Sequence, residues 1–97
     1  MVSNMESLTL TNASDVQLAL TKTIRRLREQ QKLSRASLSE RSGVPAATIK
    51  KFELSQQISL RQFLLLWQSV DDLEKLMNLT KQDKFQPQTI QDVLDHE

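Results

Sequence analysis

The chain has no cysteine, a single glycine, two prolines and a single histidine in 97 residues. Without cysteine there is no disulfide, no thiolate metal site and no cysteine nucleophile, and the chain suits a reducing compartment. No apolar run approaches the roughly 20 residues that a membrane-spanning helix needs. The opening stretch, MVSNMESLTLTNAS, lacks the charged start and apolar core of a secretion signal. The expectation is a cytoplasmic protein, nucleoid-associated if it binds DNA, with no membrane partner. His96 sits between Asp95 and Glu97 with no nucleophile or glycine-rich loop to work with. No enzyme activity, metal site or cofactor is expected from such a pattern.

What the chain does have is charge, unevenly placed. The net charge of +1 conceals −2 over residues 1–21, +7 over 22–61 and −4 over 62–97. A basic middle between acidic ends is the footprint of a nucleic-acid binder whose other surfaces meet protein. Ninety-seven residues allow one domain, and a core this small gains from dimerisation or a partner.

Apolar spacing divides the middle into helices. Ser14 and Gln17 have capping-box spacing, and Val16, Leu20, Ile24 and Leu27 then recur on one helical face, with Lys22, Arg25 and Arg26 off it. Ser34 is placed to cap a second helix running to about Ser42, with Leu38 inward. The lone glycine, Gly43, falls just past its end, where a left-handed conformation suits a residue without Cβ. Pro45, lacking an N–H, fits only the start of a third helix over 45–53, whose Ile49 and Phe52 turn inward. A fourth opens near Ser59 and carries FLLLWQSV; a fifth, DDLEKLMNL, is capped by Asp71 or Asp72 and aligns Leu73, Leu76 and Met77. The fold class is all-α: five helices over 14–79, a flexible segment at 1–13 in which Leu8 and Leu10 could at most form a strand fragment, and an acidic tail at 80–97.

Residues 33–53, LSRASLSERSGVPAATIKKFE, therefore place two short helices around one glycine, the second basic along one side. That spacing allows one helix to enter a major groove while its neighbour rests on the backbone. The ordered set I-R-R-L-R (24–28), L-S-R-x-x-L (33–38), S-G-V (42–44), A-T-I-K-K-F-E (47–53) and I-S-L-x-x-F-L (58–64) resembles the lambda-repressor-like, Xre-type helix-turn-helix family. Within it the chain is similar to HipB-type antitoxins: dimeric operator-binding proteins partnered with a HipA-type serine/threonine kinase toxin.

The resemblance assigns roles. The residue after the second helix's cap is typically a glutamine on phosphate; here it is Arg35, whose charge opposes the helix dipole and so suits an anion. Positions 46, 47, 48, 50 and 51 lie on or beside the exposed side of the third helix. Ala46 and Ala47 cannot hydrogen-bond to a base and offer only methyl contact with thymine, so Thr48 and Lys51 are the base readers, with Lys50 on a phosphate. Readout this thin leans on DNA shape. Ser55, Gln56 and Gln57 form the loop that meets the backbone. Arg28 and Glu53 match a family ion pair tying the first helix to the third.

The fourth helix carries more apolar residues than one face holds. Leu60, Phe63, Leu64 and Trp67 fit one side, and Leu65, Leu66 and Val70 spread around the cylinder. With Leu73 and Met77, these last three predict a homodimer interface. The acidic tail, 83–97, reads either as frayed or as a docking segment in which Ile90, Val93 and Leu94 supply a small helical face suited to a partner's groove. The composite expectation is a repressor on double-stranded operator DNA, acting as an antitoxin. The alternatives are a stand-alone Xre-type regulator and a protein–protein adaptor that has lost DNA readout.

Overall fold

The computed structural model describes residues 10–82. Helix α1 spans Ala13–Gln30, α2 Arg35–Ser42, α3 Ala46–Ser55, α4 Leu60–Val70 and α5 Glu74–Met77, followed by a 3-10 turn over Asn78–Thr80. The five predicted helices are all present, and no strand occurs among the described residues. The Leu8–Leu10 fragment is described only at Leu10, which is exposed; the Ile90, Val93, Leu94 face and His96 lie outside the described residues.

Helix α1 begins earlier than Ser14. The Asn12 side chain accepts from the Asp15 backbone N–H at 2.9 Å, and the Asp15 carboxylate accepts from the Asn12 N–H at 3.1 Å. This reciprocal pair displaces the expected Ser14–Gln17 box. An Asn cap with a carboxylate in the first turn satisfies two free N–H groups and opposes the helix dipole. Val16 is exposed, and the covered face of α1 begins at half-buried Leu20 and the buried Thr21 and Ile24.

Helix α2 starts where Ser34 accepts from the Ser37 N–H at 3.0 Å. It ends at Gly43, whose φ of 78° is left-handed and whose N–H returns to the Ser39 carbonyl. A Cβ at Gly43 would touch nothing within 4 Å; the demand for glycine is conformational, not steric. Pro45 then precedes α3 with φ −57° and ψ 142°, the extended geometry of an N-cap that no side chain completes. Ser59 caps α4 by accepting from the Gln62 N–H at 3.1 Å. The fifth helix is one turn long, shorter than its apolar stripe implies. The Asp72 carboxylate accepts from the Glu74 N–H at 2.9 Å, and the chain tightens to 3-10 after Met77.

Ile24, Leu38, Val44, Ile49, Phe52, Leu66, Trp67 and Val70 form a single buried cluster contributed by α1–α4 and the turn between α2 and α3. Phe52 meets Phe63 edge-on at 6.3 Å, and Phe63 meets Trp67 at 6.0 Å. The Trp67 indole N–H donates to the Asp72 carbonyl at 2.9 Å, and Gln31 donates to the Val70 carbonyl at 2.9 Å. These bonds pin the end of α4 to α1 and to the start of α5. Two dimer residues are thereby reassigned: Leu66 is 0 % exposed and Val70 is 6 % exposed within one chain, so neither reaches a second copy. Leu60, grouped by its spacing on one side with Phe63, Leu64 and Trp67, is 73 % exposed. It is the first residue of α4.

Candidate nucleic-acid interface

Helix α3 buries Ile49, Phe52 and Glu53 and turns Ala46, Ala47, Lys50, Lys51, Leu54 and Ser55 outward, with Thr48 half-buried. The buried positions recur at three- and four-residue spacing, which fixes the helix's rotation about its own axis. Ala47, Lys50, Lys51 and Leu54 then share one outward stripe. Every residue expected on the exposed side is therefore on or beside it. Leu54, 66 % exposed, was not anticipated. Extending the spacing from Ala47 by seven residues reaches it.

What holds that stripe in place is a carboxylate buried at the back of α3. Arg28 donates from Nε to Glu53 Oε2 at 2.8 Å and from Nη2 to Oε1 at 3.1 Å. Its remaining nitrogen, Nη1, donates to the Leu33 carbonyl at 2.8 Å. The Arg28 side chain is 9 % exposed and that of Glu53 0 %. This is the predicted ion pair, in the two-pronged geometry that guanidinium and carboxylate favour. A buried charge pair is tolerable because its hydrogen-bonding capacity is met, and no buried side-chain nitrogen or oxygen among the described residues lacks a partner.

Arg35 joins the same carboxylate, which the sequence pattern did not indicate. Its Nε donates to Glu53 Oε1 at 2.9 Å, and its Nη2 lies 2.9 Å from the same oxygen. The anion that the charge at the start of α2 calls for is thus first of all Glu53, 18 residues along the chain. Two arginines from α1 and α2 converge on one acid from α3, and the cluster keeps an excess positive charge.

The loop after α3 is internally bonded. The Ser55 hydroxyl donates to the Lys51 carbonyl at 2.6 Å, Gln56 adopts a φ of 64°, and the Gln17 amide donates to the Gln56 carbonyl at 3.5 Å. Ser55 and Gln57 are exposed and Gln56 half-buried. Gln17, expected in a cap, instead steadies this loop from α1. Arg41, Lys22 and Arg26 are exposed on other faces, and Arg25 pairs with Glu29 at 3.2 Å.

Among the described residues no group of His, Asp and Glu could hold a metal ion, and no helix is long and apolar enough to cross a membrane. The model of the family described as Helix-turn-helix matches residues 24–66, from the buried start of the core in α1 to its buried centre in α4. Neither the search of curated proteins nor that of solved structures returns a match. The matched segment contains the glycine turn, the Arg28–Glu53 clamp and the basic α3 stripe, and by these residues 24–66 belong to the lambda-repressor-like, Xre-type helix-turn-helix family of DNA-binding regulators.

Proposed function

We propose that the chain is a sequence-specific transcriptional repressor that binds operator DNA as a homodimer and serves as the antitoxin of a HipA-type kinase toxin. The observation that carries the DNA reading is the outward stripe Ala47–Lys50–Lys51–Leu54, held from behind by Glu53 and two arginines. A recognition helix must be rigid for its side chains to meet base edges in register. Thr48 and Lys51 read bases, and Lys50, Ser55, Gln56 and Gln57 contact phosphates. The antitoxin role and the kinase partner come from the resemblance to HipB-type proteins.

For the dimer, the surface that supports the reading differs from the one drawn from sequence. Leu60, Leu64, Leu65 and Leu73 line one cleft, and Leu64, Leu73, Leu76 and Met77 line a second that shares two of them. Arg61 borders the first and Glu74 the second, so a two-fold related copy can set opposite charges against each other. Leu65, Leu73 and Met77 remain in this interface; Leu66 and Val70 leave it for the core.

Such a dimer presents two α3 helices to successive major grooves, and the operator is a pseudo-palindrome with half-site centres about 10 base pairs apart or a multiple of that. The test is electrophoretic mobility with the gene's own upstream DNA against scrambled competitor at two salt concentrations. Specific retention is expected, with a log–log salt slope near −9 if each half-site neutralises about five phosphates. It should be lost in the Lys50→Ala/Lys51→Ala double variant. One observation favours a second reading, as a protein–protein adaptor: Ala46 and Ala47 stand exposed where base-bonding side chains are wanted. Equal retention of scrambled and upstream DNA would select it.

A further inference from the structure

Arg28 and Arg35 share one acid but are not used alike. All three Arg28 guanidinium nitrogens are engaged and its side chain is nearly covered. Arg35 spends only its Nε/Nη2 edge on Glu53, and its side chain is 33 % exposed. Nη1, and with it the Nη1/Nη2 edge of the guanidinium, has no partner among the described residues. A guanidinium is planar and rigid, with its five N–H groups in fixed directions. Holding one edge on a buried carboxylate therefore fixes the direction of the adjacent Nη1/Nη2 edge, which presents two parallel N–H bonds spaced for two oxygens of a phosphate.

Glu53 lies three residues after exposed Lys50, so the carboxylate that holds Arg35 is carried by the same helix as the basic stripe. We infer that Glu53 is a positioning residue for DNA binding. It clamps Arg35 so that the outward edge of the guanidinium grips one backbone phosphate in two-pronged fashion, fixing how α2 and α3 sit on the duplex. This inference rests on the DNA-binding reading above and sharpens it. The buried negative charge behind α3 then strengthens binding, because it orders a cation that would otherwise sample many rotamers. A lysine at position 35 keeps the charge but cannot bridge, since an ammonium has no second edge.

The experiment is a fluorescence-anisotropy titration of the full chain with its upstream duplex, and with an unrelated duplex, between 50 and 200 mM salt. Arg35→Gln should flatten the log–log salt slope by about 0.9 per half-site, one phosphate's share, on both duplexes alike. Arg35→Lys should bind more weakly than the native chain although its charge is unchanged. Glu53→Gln should also weaken binding although it removes a negative charge. A native slope in Arg35→Gln, native affinity in Arg35→Lys, or tighter binding by a folded Glu53→Gln would each overturn the inference. If Glu53→Gln does not fold, Arg35→Lys decides, since its partly exposed site leaves the Arg28–Glu53 pair whole. A native chain with no salt-dependent affinity for either duplex defeats the DNA reading itself. A native chain that binds with Arg35 indifferent defeats only the fork.

Discussion

The two halves of the domain are held by different forces. The α2–turn–α3 unit is specified by directional groups: a serine cap, a left-handed glycine, and one carboxylate bonded by two arginines. The α4–α5 half is specified by shape, with eleven α4 residues of which seven are apolar or aromatic and few polar bonds to say which way they face. Directional bonds have one solution, whereas an apolar cylinder has several rotations of similar merit. The first half consequently presents a defined polar surface to one kind of ligand. The second keeps an apolar surplus, Leu60 and Met77 among it, that a further packing event can cover.

The largest way to break the contrast is at the carboxylate. Arg28→Ala leaves Glu53 buried with only Arg35 for company and frees the Leu33 carbonyl. Chemical denaturation should show a loss of about 3–5 kcal/mol, the range for stranding one member of a buried pair. A loss below about 1 kcal/mol would mean that Arg35 alone satisfies the acid. The α1–α3 tie would then be dispensable.

Packing gives the next effect, and it separates core from surface on one helix. Leu66→Ala should cost about 2–5 kcal/mol with no change in association, because the side chain is wholly inside. Leu60→Ala/Met77→Ala should move single-chain stability by no more than about 0.5 kcal/mol per site. It should also shift the monomer–dimer balance in analytical ultracentrifugation toward monomer. Denaturation midpoints that rise with protein concentration in the native chain but not in this variant would place the interface on the clefts. Concentration-independent midpoints in both would remove it.

Legibility in the sequence follows the same division. Ser34, Gly43 and Ser59 were readable because caps and left-handed turns depend on a few residues at fixed local spacing; the Arg28–Glu53 pair, 25 residues apart, was legible only through the family resemblance. The α3 stripe was readable from the inward Ile49 and Phe52, which set its rotation. Arg35 on Glu53 was not, since nothing local marks two residues 18 apart as neighbours; only the folded angle between α2 and α3 brings them together. The first cap slipped because Asn12–Asp15 and Ser14–Gln17 both have the right spacing, and the carboxylate forms the stronger bond. On α4, Leu66 and Val70 were assigned to an interface but lie in the core, because a nearly all-apolar helix carries no polar face to set its rotation.

The smallest effect lies at the joint between α4 and α5 and reads out through pH. Asp71 is held below its ordinary value of 3.8, first by the backbone N–H of Asp72, which donates to its carboxylate at 2.7 Å, and then by Lys75, whose ammonium donates at 3.1 Å. A carboxylate whose folded value is depressed binds its proton less readily folded than unfolded. The stability it contributes is therefore complete above 3.8 and is lost as pH falls from there through the folded value. A side-chain carboxyl NMR titration should place the Asp71 midpoint below 3.8. Lys75→Ala should raise that midpoint only part of the way back, because the larger cause is a backbone group that the substitution leaves in place. A full return to 3.8 would assign the depression to the lysine and make the turn a product of salt-screened charge rather than of its hydrogen bond. Asp71→Asn should flatten the acid limb of the stability curve while leaving Leu66 and the α2–α3 unit unaffected near neutral pH. That outcome would show that the shape-specified half places a pH-dependent directional bond at the α4–α5 corner, where the chain must turn.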